Sequence, residues 1–339
     1  MKKRILIITA TLFLIACGNK TNPSAQETDR LANQAEPTFE ADSAYQSIVT
    51  QCNFGPRVMN SAAHEACGDY IVASFKAYGL QVIEQFADLK QYDGTLLKAR
   101  NIIAQHNPKA KERILLCAHW DSRPWADNDP DEANHRKPVD AANDGASGVA
   151  MLLEIARLLQ QQAPALGVDF ICFDAEDCGT PQWADEGSDH ENTWCLGSQY
   201  WATHPHVPAY KARFGILLDM VGGQGASFYQ EGYSLQYAAA VVAKVWNAAE
   251  SAGYGSFFPK KNSGFVTDDH VPVNKFAGIP TIDIIPYYAD NPTSGFGPTW
   301  HTVNDTPSNI DRNTLRAVGQ TVVHVIYNET VSTTCEPKE

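Results

Sequence analysis

The chain has 339 residues, 44% of them hydrophobic and 19% charged, with a formal net charge of −13. That length suits one large α/β domain or two small ones, and no linker interrupts the apolar patterning to favour two. The acidic balance argues against nucleic acid or an anionic membrane surface as a partner, and it is compatible with a cationic ligand such as a free amino terminus.

In chain order, Lys2, Lys3 and Arg4 form a basic start, residues 5–15 an apolar stretch too short to span a bilayer comfortably, and Leu14-Ile15-Ala16-Cys17 closes it. The closing tetrad resembles a bacterial lipobox. The resemblance implies that residues 1–16 are a lipoprotein signal peptide and that Cys17 carries a lipid. Residues 17–38, rich in Asn, Gln, Ala and Pro, then read as a flexible tether ahead of a catalytic domain over 39–335. The expected location is the bacterial cell envelope, in the periplasm or on the cell surface, with the lipid as the only membrane contact. Helical periodicity covers 40–51 and 61–78, with Gly79 placed to stop the second helix. Residues 81–88, 100–106 and 112–118 read as strands forming an antiparallel or mixed edge. The strongest helix pattern, 146–162, starts just after Asp144-Gly145, and further helices are expected at 234–251 and 312–332. Two stretches read as functional loops. Residues 178–195 form a polar insertion suited to a lid or wall, and 287–300 are aromatic and turn-rich, suited to a substrate pocket. Of eight cysteines, Cys117 and Cys172 sit inside apolar runs and are expected as buried thiols. An exported chain permits disulfides, and Cys52 with Cys67 and Cys178 with Cys195 are the candidate pairs.

Four apolar runs end in chemistry. Residues 114–118 lead to His119 and Asp121, and 168–173 to Asp174, Glu176 and Asp177. Residues 214–218 end at Asp219, and 282–286 lead into the loop carrying Trp300 and His301. Such runs read as buried strands of a largely parallel sheet, and open α/β sheets bind ligands beyond the carboxyl ends of their strands. Each residue also has a plainer role: Asp144 as a helix N-cap, His301 as a hydrogen-bonded core histidine, Glu176 and Asp177 as solvated loop charges. Their convergence on one rim favours a metal site instead, and oxygen and nitrogen ligands without clustered thiolates suit zinc.

His119-Trp120-Asp121, Ala142-Asn143-Asp144-Gly145-Ala146-Ser147-Gly148, Asp174-Ala175-Glu176-Asp177, Leu218-Asp219 and Trp300-His301-Thr302 resemble, in order, the motifs of the zinc aminopeptidase-like (phosphorylase/hydrolase-like) α/β fold. Asp268-Asp269-His270-Val271-Pro272 and Gly278-Ile279-Pro280 add a resemblance to the glutaminyl cyclases of animal type, which share that fold. The resemblance implies a single α/β domain with a mixed, mostly parallel central sheet flanked by helices. It implies one zinc ion per chain held by Asp144, Asp177 and His301, with Glu176 as acid/base and Asp219 and Asp268 in an acidic network around it. Trp300 and Phe296 would wall the pocket, together with either Trp183 or Trp194. The implied reaction converts the N-terminal glutamine of peptides and proteins to pyroglutamate with release of ammonia.

Four departures stand out. Asp177 replaces the usual glutamate ligand, Asp283 stands where animal enzymes carry histidine, Ala118 and Val149 replace a cysteine pair, and the 178–195 insertion is long. The nearest rival is a two-zinc aminopeptidase, with a second metal on His119 and Asp219 bridged by Asp144. A non-catalytic binding lipoprotein is the remote one.

Overall fold

Alternation along the strands decides how this chain layers. In the computed structural model, which describes residues 35–184 and 191–332, Gln81–Lys90 (β1), Leu96–His106 (β2), Arg113–His119 (β3), Gly167–Phe173 (β4), Gly215–Leu218 (β5) and Thr281–Ile284 (β6) form one sheet in the order β1-β2-β4-β3-β5-β6. β1 and β2 make the antiparallel edge, and β4, β3, β5 and β6 run parallel. This is the mixed, mostly parallel sheet that the resemblance implied. Cys17 and Cys335 lie outside the described residues.

Along β3, Ile114, Leu116 and Ala118 face one core, while Leu115 and Cys117 face the other. The first core is the larger. It is closed by Ala41–Asn53 (α1), Ala62–Ala77 (α2), Ala146–Gln161 (α3), and the two helices defined below as α5 and α6. The second is closed by the short Leu196–Thr203 (α4) and by Val273 and Ile279 of the turn after His270–Pro272. Gly232–Ser251 is α5 and Arg312–Asn328 is α6. Residues from Glu36 onward belong to one compact unit. The Gln320 amide of α6 donates to Glu36 and to the Pro37 carbonyl, both at 3.2 Å, so the chain joins the fold there.

α3 lies between the sheet and the outer helices and is apolar nearly all round, as a fully enclosed helix must be. Its approach to the sheet depends on Gly148, where any Cβ would stand 2.1 Å from the Leu218 carbonyl oxygen. That contact brings the start of α3 against the ends of β3 and β5.

The expected disulfides are not formed: all six described cysteines are free thiols. Cys67 is sealed in the main core, and Cys52 points its sulfur at the Asp140 carbonyl, 3.7 Å away. Cys178 and Cys195 turn inward on separate acids, Asp121 at 3.7 Å and Glu176 at 3.3 Å. Flanking a polar segment did not make these pairs face each other.

Candidate active site

The rim of the sheet is built from tight turns. Ala175, two residues after β4, has φ 53°, and Met220, Cys195 and His301 have φ 49°, 56° and 52°. A non-glycine residue held in this region costs on the order of 1–3 kcal/mol, and such residues collect where surrounding structure fixes a functional geometry. The turn at Ala175 sends neighbouring acids in opposite directions. Asp174 goes back to His64 at 2.8 Å and to the Arg100 amide, while Glu176 goes forward into the site. Asp121 fixes that turn by accepting the N–H groups of Glu176 and Asp177 at 3.0 and 3.1 Å.

Asp144 is not a helix cap. The N-cap of α3 is Gly145, at φ 102° and with no side-chain cap. A Cβ on Gly145 would lie 2.8 Å from the Asp121 carbonyl oxygen, so the position needs glycine for both space and conformation. Asp305 holds the segment in place by accepting the Asn143 and Asp144 N–H groups at 2.8 and 3.0 Å.

Two potential metal clusters share Asp144. In the first, His301 Nε2 lies 3.1 Å from Asp177 Oδ1 and 3.5 Å from Asp144 Oδ2. Both Asp177 oxygens are buried and lack a hydrogen-bond donor among the described residues. A buried carboxylate without a donor is costly. Asp177, with Asp144 and His301 converging on it, therefore fits a divalent cation of the zinc type. On the far side of the imidazole, Asp127 Oδ1 lies 3.6 Å from Nδ1 and is itself paired with Arg123 at 2.6 Å, the outer support that orients a metal-binding histidine. Burial opposes charge on His301, but Asp177 and Asp144 outweigh it and hold its pKa up, to about 9. In the second cluster, His119 Nε2 lies 3.0 Å from Asp144 Oδ1 and 3.1 Å from Asp219 Oδ1. Both ligand inventories are therefore geometrically intact.

Glu176 lies beside these clusters, within reach of Asp268 and Cys195. Burial pushes its carboxyl well above the ordinary range, and Asp268, Asp177 and Asp269 add to the effect. Asp219 is raised to about 7, by burial and then by Asp268 and Asp144. The Asp283 carboxyl, inside β6, is also pushed well above the ordinary range, by burial first and then by Asp268. Glu176, Asp219 and Asp268 border a pocket of about 320 Å³.

The pocket walls are aromatic. Trp300 stacks on His301 with centroids 3.8 Å apart, Phe296 packs on Trp300 at 4.9 Å, and Trp194 lies parallel to His301 at 6.0 Å. Trp194 reaches this place because Gly179 has no side chain: a Cβ there would fall 2.0 Å from the indole. The choice between the two loop tryptophans thus falls on Trp194. Trp183 is outside the pocket, edge-on to Trp125 at 5.8 Å with Arg136 3.7 Å over its ring. Sequence reasoning missed Asp127, Arg123, Asp305 and the Cys195 thiol. None of them stands in a motif that marks a supporting role.

Comparison with known proteins places this geometry. The model of peptidase family M28 matches residues 101–326. The Bacteroides thetaiotaomicron glutaminyl cyclase bound to N-acetylhistamine is 57% identical, with a TM-score of 0.85 over 87% of this chain and 100% of that one. A leucine aminopeptidase precursor from Bacteroides thetaiotaomicron VPI-5482 is also 57% identical, with a TM-score of 0.84 over 87% of this chain and 99% of that one. The glutaminyl-peptide cyclotransferase of Drosophila melanogaster is 27% identical over 282 residues, 76% of this chain and 72% of the relative.

Proposed function

The chain belongs to peptidase family M28, and we propose that within this family it is a zinc-dependent glutaminyl-peptide cyclotransferase, converting the N-terminal glutamine of peptides and proteins to pyroglutamate with release of ammonia. The observation that carries this reading is the slot formed by Trp194, Phe296 and Trp300, which leads to the buried Glu176 beside Asp144, Asp177 and His301. Aromatic faces accommodate a flat, neutral amide side chain. The similarity over 87% of this chain to a solved glutaminyl cyclase supports it.

The reaction joins two ends of one residue. The substrate's α-amine forms a bond to its own side-chain amide carbon while the bond from that carbon to the amide nitrogen breaks. Proximity is therefore supplied by the substrate, and the slot has only to hold the side chain folded back on the amine. Asp144, Asp177 and His301 would hold one zinc ion per chain, which when bound would supply Lewis acidity toward the side-chain carbonyl. Glu176 accepts a proton from the attacking amine and returns one to the departing ammonia, a role suited to its raised pKa. Asp268 helps to keep that pKa raised, and Asp219 lines the same pocket.

The intact cluster of His119, Asp144 and Asp219 favours a second reading, the two-zinc aminopeptidase, in which Glu176 activates water. One paired experiment separates the two. The cyclase should carry one zinc per chain when fully active and release ammonia from a Gln-initiated peptide, with no leucine from a Leu-initiated one. Two zinc ions, both needed for activity, together with release of free leucine would establish the peptidase.

A lipid on Cys17 would hold the enzyme in the cell envelope, facing exported peptides. No described helix is long and apolar enough to cross a membrane. Cys17→Ser should abolish lipid labelling and move the protein from the membrane to the soluble fraction. Unchanged labelling would remove the anchor from this account.

A further inference from the structure

Large apolar side chains normally leave water, and among the described residues several do not: Phe86, Phe276 and Phe265 are 67%, 58% and 66% exposed. Of the exposed apolar side chains, Phe265 is the one that borders the active-site pocket. A lone exposed phenylalanine needs no explanation by itself. This one is held in place.

On one side of it the Gly264 carbonyl accepts the Gly232 N–H at 3.1 Å, and on the other the Val266 N–H donates to Glu231 at 2.9 Å. Glu231 is itself fully buried. It caps α5 through the Tyr233 and Ser234 amides, both at 2.7 Å, and pairs with His270 at 3.0 Å. The Phe265 ring lies over Gly232, where a Cβ would come within 2.7 Å of it, and meets Tyr233 edge-on at 4.9 Å. One face of the ring is thus braced, while much of it remains open to solvent at the pocket mouth.

Its place in the pocket wall suits one particular group. Phe265 lies at the surface, while Asp268, three residues on and beside Glu176, is buried, and both line the same pocket. Three residues span at most about 10 Å, and adjacent Cα atoms in a substrate are about 3.8 Å apart. Because Phe265 lines the pocket and is open to solvent, a peptide whose first residue fills the slot carries its second side chain, one Cα step outward, toward this ring.

We propose that Phe265 is the seat for the second side chain of the substrate and favours large apolar groups there. The proposal rests on the cyclisation reading above. It assigns to this ring a specificity that the glutamine slot does not provide.

Ammonia release from glutaminamide, Gln-Gly-amide and Gln-Phe-amide, measured for the wild type, Phe265→Ala and Phe265→Leu, tests it. The wild type should prefer Gln-Phe-amide. Phe265→Ala should lower kcat/KM for that substrate by about tenfold, mostly through KM, and leave the other two within about twofold. Phe265→Leu should fall between. Equal losses on all three substrates would make the ring a structural brace, and no change on any would leave it no role in binding; either result overturns the proposal. A wild type that releases no ammonia even from glutaminamide would instead fail the cyclisation reading, and this proposal with it.

Discussion

Glu176→Gln is expected to lower turnover of Gln-initiated peptides by a factor of about 10² to 10⁴ while zinc stays bound. Glutamine keeps the shape and can still accept from the Cys195 thiol, which lies 3.3 Å from Glu176 Oε1, but it cannot take a proton from the amine. The acid limb of the kcat/KM profile should change as well, since the remaining rate would follow only the ionisation of the substrate amine. Stability should move the other way. Burial, then Asp268, Asp177 and Asp269, hold the folded-state pKa of Glu176 well above its ordinary 4.5. The unfolded chain loses this proton near 4.5, so above that pH the folded state binds more protons. The contribution of Glu176 is then present below 4.5 and lost as pH rises through the folded value. In the zinc-free protein at neutral pH, Glu176→Gln should therefore melt at or above the wild-type temperature. A variant that retained near-normal turnover would remove Glu176 from proton transfer.

Asp177→Asn should abolish activity by a different route. Both Asp177 oxygens are buried without a well-formed hydrogen bond from the described residues, and burial raises the Asp177 pKa even though His301 and Arg123 lie 3.1 and 3.8 Å away, so the charge is costly unless a metal cation is bound. Zinc affinity should fall by more than the 10- to 100-fold typical of an outer-sphere change, and activity should fall with it. The rise in melting temperature that saturating zinc gives the wild type should disappear, while the zinc-free variant melts no lower than zinc-free wild type. If Asp177→Asn retained zinc and Glu176→Gln lost it, the roles of these adjacent residues would be exchanged.

The sheet was largely legible in the sequence because β3, β4, β5 and β6 are covered on both faces, so each reads as a mainly apolar run, broken only by Asp169 in β4 and Asp283 in β6, that stops at the rim. The rim residues were legible for the same reason: His119, Glu176, Asp177 and Asp219 follow directly after those runs. α4 was not. Leu196–Thr203 begins at Cys195 in a left-handed conformation with no capping side chain, and it is held by Trp201 packed against Phe173 at 5.8 Å, a contact across the chain. The role of Asp144 could not be separated from N-capping until the cap proved to be Gly145. Trp183 and Trp194 share one loop and one residue type; the difference is made by Gly179, 15 residues before Trp194 in the chain and directly beneath its indole. Asp127 and Asp305 act through other residues, and their spacing carries no trace of that. The cysteine pairs misled because proximity in sequence says nothing of which way a thiol points.

Asp144 directs one oxygen toward His119 and the other toward His301. Neither cluster can be assembled without it, and neither requires a residue that the other must discard. Descent from a two-ion hydrolase to a one-ion cyclase, or the return, can therefore pass through chains in which every ligand is kept and the imidazole of His119 has merely exchanged a metal for a proton. In such a lineage the ligands record the ancestry, while the aromatic residues over the slot record the present trade.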